Sequence, residues 1–286
     1  RDGSSMGTTN WKLQVLFEVP GTPACVISGT GIQNNTLNTG DVVSVTSTFT
    51  EEVLVNTSGG TPTLSINVGG TTRSATYTSG SGDTELVFQY TIQSNDTDAD
   101  GISIGANALA LNSGTIRDAA GNNATITHNA LSDNASFKVD TAAPTVSSFA
   151  LNDVALKTGE TATATLVFSE AVTGFSSGDD ITVANGSLST MSSSDNITWT
   201  GTFTPSTNTE DASNTFSLGT SYTDAAGNAG PAATTANYTV DTRAPTVSSF
   251  ALSDVALKAG DTPTVTVVFS EAVSYTHLPL PTNREV

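Results

Sequence analysis

The stretch Val139–Val172, VDTAAPTVSSFALNDVALKTGETATATLVFSEAV, decides how the chain is read, because it returns almost unchanged as Val240–Val273, VDTRAPTVSSFALSDVALKAGDTPTVTVVFSEAV. Asp140 and Asp241 stand 101 residues apart. A period of this size marks a tandem array of units, and ~100 residues suffices for each to bury its own core. A fainter copy lies upstream: Gly40–Val53 (GDVVSVTSTFTEEV) aligns with Gly159–Val172, keeping Gly, Phe and Glu in step. The pentapeptide DAAGN occurs at Asp118–Asn122 and again at Asp224–Asn228.

Within a unit the pattern is that of short strands. Thr161–Phe168 (TATATLVF) alternates small polar with apolar residues, and Ile197–Phe203 (ITWTGTF) alternates strictly. Thr, Val and aromatic residues fit a pleated, half-buried surface. Turn signals at Lys157-Thr158-Gly159, Asn185-Gly186 and Gly227-Asn228 break the runs, at the spacing of about 8–12 residues typical of sandwiches and barrels. No stretch keeps a helical period. The expectation is an all-β chain of tandem immunoglobulin-like β-sandwich domains, about seven strands each, with Trp199 and Phe203 on a core-facing side.

Composition narrows the function. The 286 residues carry 27 acids and 9 bases, for a net charge of −18, and only 13% of residues are charged. The acidity therefore comes from missing Lys and Arg. That excludes a basic nucleic-acid-binding face and disfavours a polybasic membrane attachment. No apolar run approaches the ~20 residues of a membrane helix, so no direct membrane insertion is expected. Two His and one Cys leave little for a transition-metal site or a disulfide framework; Cys25 reads as a small buried hydrophobe. His128 has no GxSxG partner and is read as facing solvent on a strand. No catalytic residue is assigned.

The VDTxAPTV segment, GETATATLVFSEAVTGF and the DAAGN…NYTVDT ending resemble bacterial Ig-like repeats of large surface adhesins and biofilm-associated proteins. The resemblance covers 140–240 fully and 241–273 as the truncated start of a third repeat. Segments of 23–139 such as GTPTLSINVGG and DTDADGISI are similar to a related, longer Ig-like repeat. Residues 1–22 are read as an irregular N-terminal segment, non-native to the repeat, that includes Trp11. Residues 274–286 depart from the repeat, and VSYTHL at Val273–Leu278 resembles a translated sequencing adapter; this tail, with His277, is read as library read-through, and the chain as an internal piece of a longer protein.

Chemistry is expected at the domain poles. In a sandwich of this type the B–C and F–G loops share the pole where the chain enters, and the E–F loop lies at the other. Glu170 and Asp224 thereby approach the linker at Asp140, and Asp96, Asp98 and Asp100 of the run DTDADG approach it from the preceding unit. Glu210, Asp211, Asp241 and Glu271 form the corresponding set at the next junction. Clustered carboxylates without nearby bases repel unless a cation neutralises them, and Ca²⁺, which takes 6–8 oxygen ligands, is the natural candidate. The DTDADG run starts like an EF-hand loop, but Asn107 stands where that loop needs its bidentate Glu. In the resemblance, calcium-stiffened junctions occur in cadherins and some bacterial Ig-like adhesins.

The expected function is a non-catalytic stalk or adhesion array of a bacterial cell-surface or secreted protein, extracellular, with calcium at its junctions. Its partners would be neighbouring Ig-like repeats and a host, surface or matrix ligand. The alternative is an Ig-like spacer in a large secreted hydrolase.

Overall fold

A computed structural model describes residues 24–274. The N-terminal segment 1–22 with Trp11, and residues 275–286 of the tail with His277, lie outside the described residues. Ten strands form the first unit: β1 (Ala24–Thr30), β2 (Thr36–Leu37), β3 (Val42–Asn56), β4 (Thr63–Val68), β5 (Thr71–Ser79), β6 (Asp83–Thr91), β7 (Thr97–Asp98), β8 (Leu109–Ala110), β9 (Thr115–Arg117) and β10 (Lys138–Asp140). The large sheet runs β1-β3-β6-β5-β4-β8, and a smaller one runs β2-β10-β7. From Val42 to Phe49 every second residue of β3 is buried, the period-two pattern of a strand with one face on a core. At Glu51 and Glu52 the alternation breaks; the strand slips register on β6 and its last three residues pair with β9 instead.

The second unit contains β11 (Val146–Leu151), β12 (Ala155–Lys157), β13 (Ala162–Phe168), a single helical turn α1 (Ser177–Asp180), β14 (Ile181–Thr182), β15 (Gly186–Leu188), β16 (Thr198–Pro205), β17 (Glu210–Asn214), β18 (Ser217–Leu218), β19 (Ala233–Thr234) and β20 (Tyr238–Asp241). Its sheets run β11-β13-β16-β15, β12-β20-β17 and β14-β18-β19. Aromatic rings fill the space between them. Phe203 meets Phe216 at 5.0 Å between centroids and Phe216 meets Tyr238 at 5.5 Å, both edge to face, the arrangement favoured by ring quadrupoles. The buried phenols keep their hydrogen bonds: Tyr222 Oη donates to the Pro231 carbonyl at 2.7 Å and Tyr238 Oη to that of Ala184 at 2.5 Å. Phe203 is fully buried, and half-buried Trp199 packs edge-on against Phe175 at 4.8 Å.

The two units share a constructional detail. In each, a short strand near the start lies parallel to the last strand, with Leu37 opposite Val139 and Leu156 opposite Val240. The turn after each is held by a carboxylate three residues on: Asp41 Oδ2 accepts from Asn38 N at 2.8 Å, and Glu160 Oε2 from Lys157 N at 2.9 Å. Beyond the second unit, β21 (Val247–Leu252) and β22 (Val265–Phe269) pair antiparallel with the register, and the register slip, of β11 on β13.

The solvent-facing position expected for His128 is corrected: it is 4% exposed. Its Nε2 accepts from Ala108 N at 2.9 Å, so Nδ1 carries the proton given to the Asn129 carbonyl at 2.8 Å. A strand-like sequence here folds as irregular backbone, and the imidazole supplies partners that a ladder would otherwise provide.

Candidate functional site

Three carboxylates from three chain segments meet between the units. Asp140 ends β10, Glu170 follows β13 by two residues, and Asp224 opens the DAAGN turn; one oxygen from each lies within 4.8 Å of the others. Asp224 is 1% exposed and is fixed by the turn it makes. Its Oδ1 accepts from Ala226 N and Asn228 N, both at 2.9 Å, and its Oδ2 from Asn228 Nδ2 at 2.8 Å. Aspartate folding onto its own following backbone is ordinary turn chemistry, and Gly227 closes the turn at φ +90°. Asn228 Nδ2 also donates to the Asp140 carbonyl at 3.0 Å, tying turn to linker. Asp140 Oδ1 accepts from Ala142 N at 3.0 Å.

Glu170 is the least restrained member of the cluster: no hydrogen bond reaches its carboxylate among the described residues. Burial pushes its pKa up, and the charges of Asp224 and Asp140 push it further the same way. Neither of the two ion pairs among the described residues, Arg73–Asp96 and Arg243–Glu210, touches the three acids. The group is therefore a set of oxygens without a protein cation.

The other sequence-derived candidates lie elsewhere. The DTDADG run does abut the linker, but through its backbone: Thr141 Oγ1 donates to the Asp96 carbonyl, and Asn95 N donates to Thr141 Oγ1, each at 3.0 Å. The Asp96 and Asp98 carboxylates are buried and held within the first unit, which corrects their expected approach to the linker, while Asp100 is exposed. Asp96, 2% exposed, is ion-paired with Arg73 and accepts from Tyr90 Oη at 2.6 Å and Gln93 N at 2.9 Å. Burial alone would raise its pKa, but these three partners outweigh burial and hold it below the usual carboxylate range. Burial and the Asp96 carboxylate in turn push the Tyr90 phenol up to about 12. Asp98, 3% exposed, accepts from Gly69 N and Gly101 N, both at 2.7 Å. Burial pushes its pKa up and nearby Asp100 adds to the rise.

At the following junction Glu210 pairs with Arg243 at 2.7 Å, and Asp211 accepts from Asn185 Nδ2 at 2.7 Å. Asp241 stands across from Glu210, and its Oδ1 accepts from Arg243 N at 3.3 Å. Glu271 is half-buried; it and Asp241 gather no third carboxylate among the described residues. The chemistry of the two linkers differs, since Arg243 stands where the first has Ala142, and Glu210 where the first unit has Thr97.

Sequence reading missed three amide side chains of the first unit, Gln33, Asn34 and Asn38, that sit against the DAAGN turn of the second. Asn34 Nδ2 donates to the Ala225 carbonyl at 2.8 Å and Asn38 Nδ2 to that of Ala226 at 3.0 Å. The signal available was the run QNNTLN at Gln33–Asn38, which by itself reads only as a polar turn.

Residues 140–240 match the family model of the bacterial Ig-like domain. Over this segment the chain is similar to a bacterial Ig-like domain. The matched segment runs from Asp140 of the cluster to β20 and contains Glu170 and Asp224. No curated protein matches the chain. Among solved structures, the chain is similar to FdeC, an Escherichia coli adhesin, at 13% identity over 82% of this chain and 70% of that one, with a TM-score of 0.27. It is also similar to SGBP-B of the Bacteroides ovatus mixed-linkage glucan utilization locus, solved with a mixed-linkage heptasaccharide, at 16% identity over 79% of this chain and 49% of that one, with a TM-score of 0.19. Superpositions this loose carry no argument about function. Among the described residues no helix is long and apolar enough to cross a membrane.

Proposed function

We propose that the chain is a non-catalytic stalk or adhesion module of a bacterial surface or secreted protein, and that Ca²⁺ bound by Asp140, Glu170 and Asp224 stiffens the joint between its first two units. The convergence of the three carboxylates carries this reading. They come from the linker, a strand end and a turn, and their oxygens lie within 4.8 Å of one another. Like charges held this close repel. The turn and linker backbone fix two of them, Asp224 and Asp140, so their mutual repulsion is not relieved by side-chain swing, and the third, Glu170, is left free to close on a cation. The donor set is all oxygen, which suits a hard cation such as Ca²⁺ and not a thiolate- or imidazole-seeking metal. The remaining ligands of a six- to eight-coordinate ion would be backbone carbonyls and water. The matched bacterial Ig-like domain and the recurrence of VDTxAPTV support a chain of such units reaching from the cell, with neighbouring Ig-like units and a host, surface or matrix ligand as partners.

Titrating CaCl₂ into the whole chain tests the reading. Binding to the folded state alone stabilises it by about 2.7 kcal/mol at a hundredfold excess over Kd, so the melting temperature of the unit spanning 140–240 rises. Small-angle scattering shows a narrower range of end-to-end distances in calcium than in EGTA. Glu170→Gln, at a carboxylate with no internal hydrogen bond, abolishes both responses while leaving the EGTA melting temperature equal or higher. Identical melting and scattering of the wild-type chain in calcium and in EGTA would refute the calcium joint.

A further inference from the structure

We infer that the joint between the two units is set by an amide clamp of the first unit on the DAAGN turn of the second, and that this clamp works without metal. It deepens the proposed stalk function, but its contacts stand apart from the carboxylate cluster. The Asp224 carboxylate accepts from the Ala226 amide and the Asp224 carbonyl from the Gly227 amide, which leaves the carbonyls of Ala225 and Ala226, the other ends of those two peptide planes, facing the other way. Those two carbonyls are the acceptors for Asn34 Nδ2 and Asn38 Nδ2 at 2.8 and 3.0 Å. Gln33 covers Gly227 so closely that a Cβ at that glycine would come within 2.5 Å of Gln33 Nε2. The receiving face is held by bonds within the first unit itself. Asn38 is fixed by its backbone bond to Asp41, and Gln33 and Thr36 exchange backbone hydrogen bonds at 2.9 and 2.8 Å around Asn34 and Asn35, both in the left-handed region at φ +49° and +60°, where Asn is among the best-tolerated side chains.

The clamp is also selective. At the far pole of the second unit the register of β12 on β20 puts Asn152, Asp153 and Lys157 where Gln33, Asn34 and Asn38 stand in the first. Aspartate has no donor to give to a turn carbonyl, so the two faces cannot grip the same turn in the same way. The kind of partner that fits the first face is a DAAGN-type turn presenting two adjacent carbonyls beside a bare glycine. Small polar interfaces between domains ordinarily permit relative motion; two directed hydrogen bonds and a close-fitted glycine define one orientation.

The experiment is ¹⁵N relaxation on the whole chain in EGTA, reading a rotational correlation time for each unit. The wild-type units tumble as one body. Asn34→Asp keeps the shape and tolerates the left-handed backbone but removes the donor, and Asn38→Ala removes the second donor without adding charge. Each lowers the correlation times of both units, and together they bring them to the values of independently moving domains; amide shifts within each core, unchanged, show that both units remain folded. If the double variant in EGTA tumbles as the wild type does, the clamp is wrong. The wild-type chain already tumbling as two bodies in EGTA and locking only in calcium would equally overturn it, while leaving the calcium joint standing. Loss of the lock in the variants with no calcium response in the wild type upholds the clamp and removes the calcium reading.

Discussion

Asp96 shows how a single carboxylate takes its role from partners far along the chain. Arg73 lies on β5 and Tyr90 at the end of β6, and the hairpin between these strands brings both to one side of Asp96. The folded pKa is depressed from an ordinary value of 3.8, so the stability Asp96 contributes is fully present above that value and is lost as pH falls through the lower folded one. Asp96→Asn is expected to cost about 2 kcal/mol at pH 7, the scale of hydrogen bonds to a charged group. In urea unfolding the gap between wild type and variant should shrink steadily below about pH 4. A gap that stays constant down to pH 2 would mean that the carboxylate's charge contributes nothing. Counting acids in DTDADG could not show this, because nothing local marks Arg73 as the partner. Asp140, Glu170 and Asp224 were legible for the opposite reason: each sits at a recurring place in the repeat, so sandwich topology brings them together without any side-chain detail. The burial of His128 rests on Ala108 offering and Asn129 accepting a hydrogen bond through the backbone, which no periodicity encodes.

Strands and turns divide the same way. Alternation in β13 and β16 placed their buried faces correctly from sequence, whereas the departure of β3 onto β9 depends on the register slip near Glu51, which alternation cannot locate. The two DAAGN turns give a controlled comparison. Gly121 and Gly227 have nearly the same φ, +92° and +90°, and both turns are held by an Asp-to-Asn pair. A Cβ at Gly121 meets nothing within 4 Å, but at Gly227 it meets Gln33 of the other unit. Alanine at either position should cost about 1 kcal/mol of its own unit's stability, from the left-handed backbone alone. Only Gly227→Ala should also change the chemical shifts of Gln33 and Asn34 and loosen the units. Equal effects of the two substitutions on the first unit's spectrum would show that the turn does not grip the neighbouring face.

At the scale of the whole molecule the net charge of −18 divides between two uses. Some acids are structural: Asp96 holds an arginine, and Asp98 and Asp224 cap turns. At the first joint Glu170 is left with neither a base nor an amide, whereas at the second Glu210 has Arg243. The exposed Arg243–Glu210 pair is worth little by itself, of the order of 0–1 kcal/mol, but it places a fixed positive charge beside Asp241. Increasing salt should weaken this pair, and Arg243→Ala should leave melting of the 140–240 unit within about 0.5 kcal/mol of wild type. A loss several times larger would mean that the second linker depends on the pair.

The parallel pairing of each unit's first short strand with its last has a mechanical meaning. A pull along the chain draws these two strands in opposite directions along their length. Their hydrogen bonds are therefore loaded together in shear and do not open in succession like a zip. The second unit sets Ala155–Lys157 against Thr239–Asp241, while the first pairs only Thr36 and Leu37 with Lys138 and Val139. Forced unfolding is governed by the unfolding rate and not by equilibrium stability, so under steady tension the first unit should rupture at the lower force and act as the extensible link, with the second holding its length.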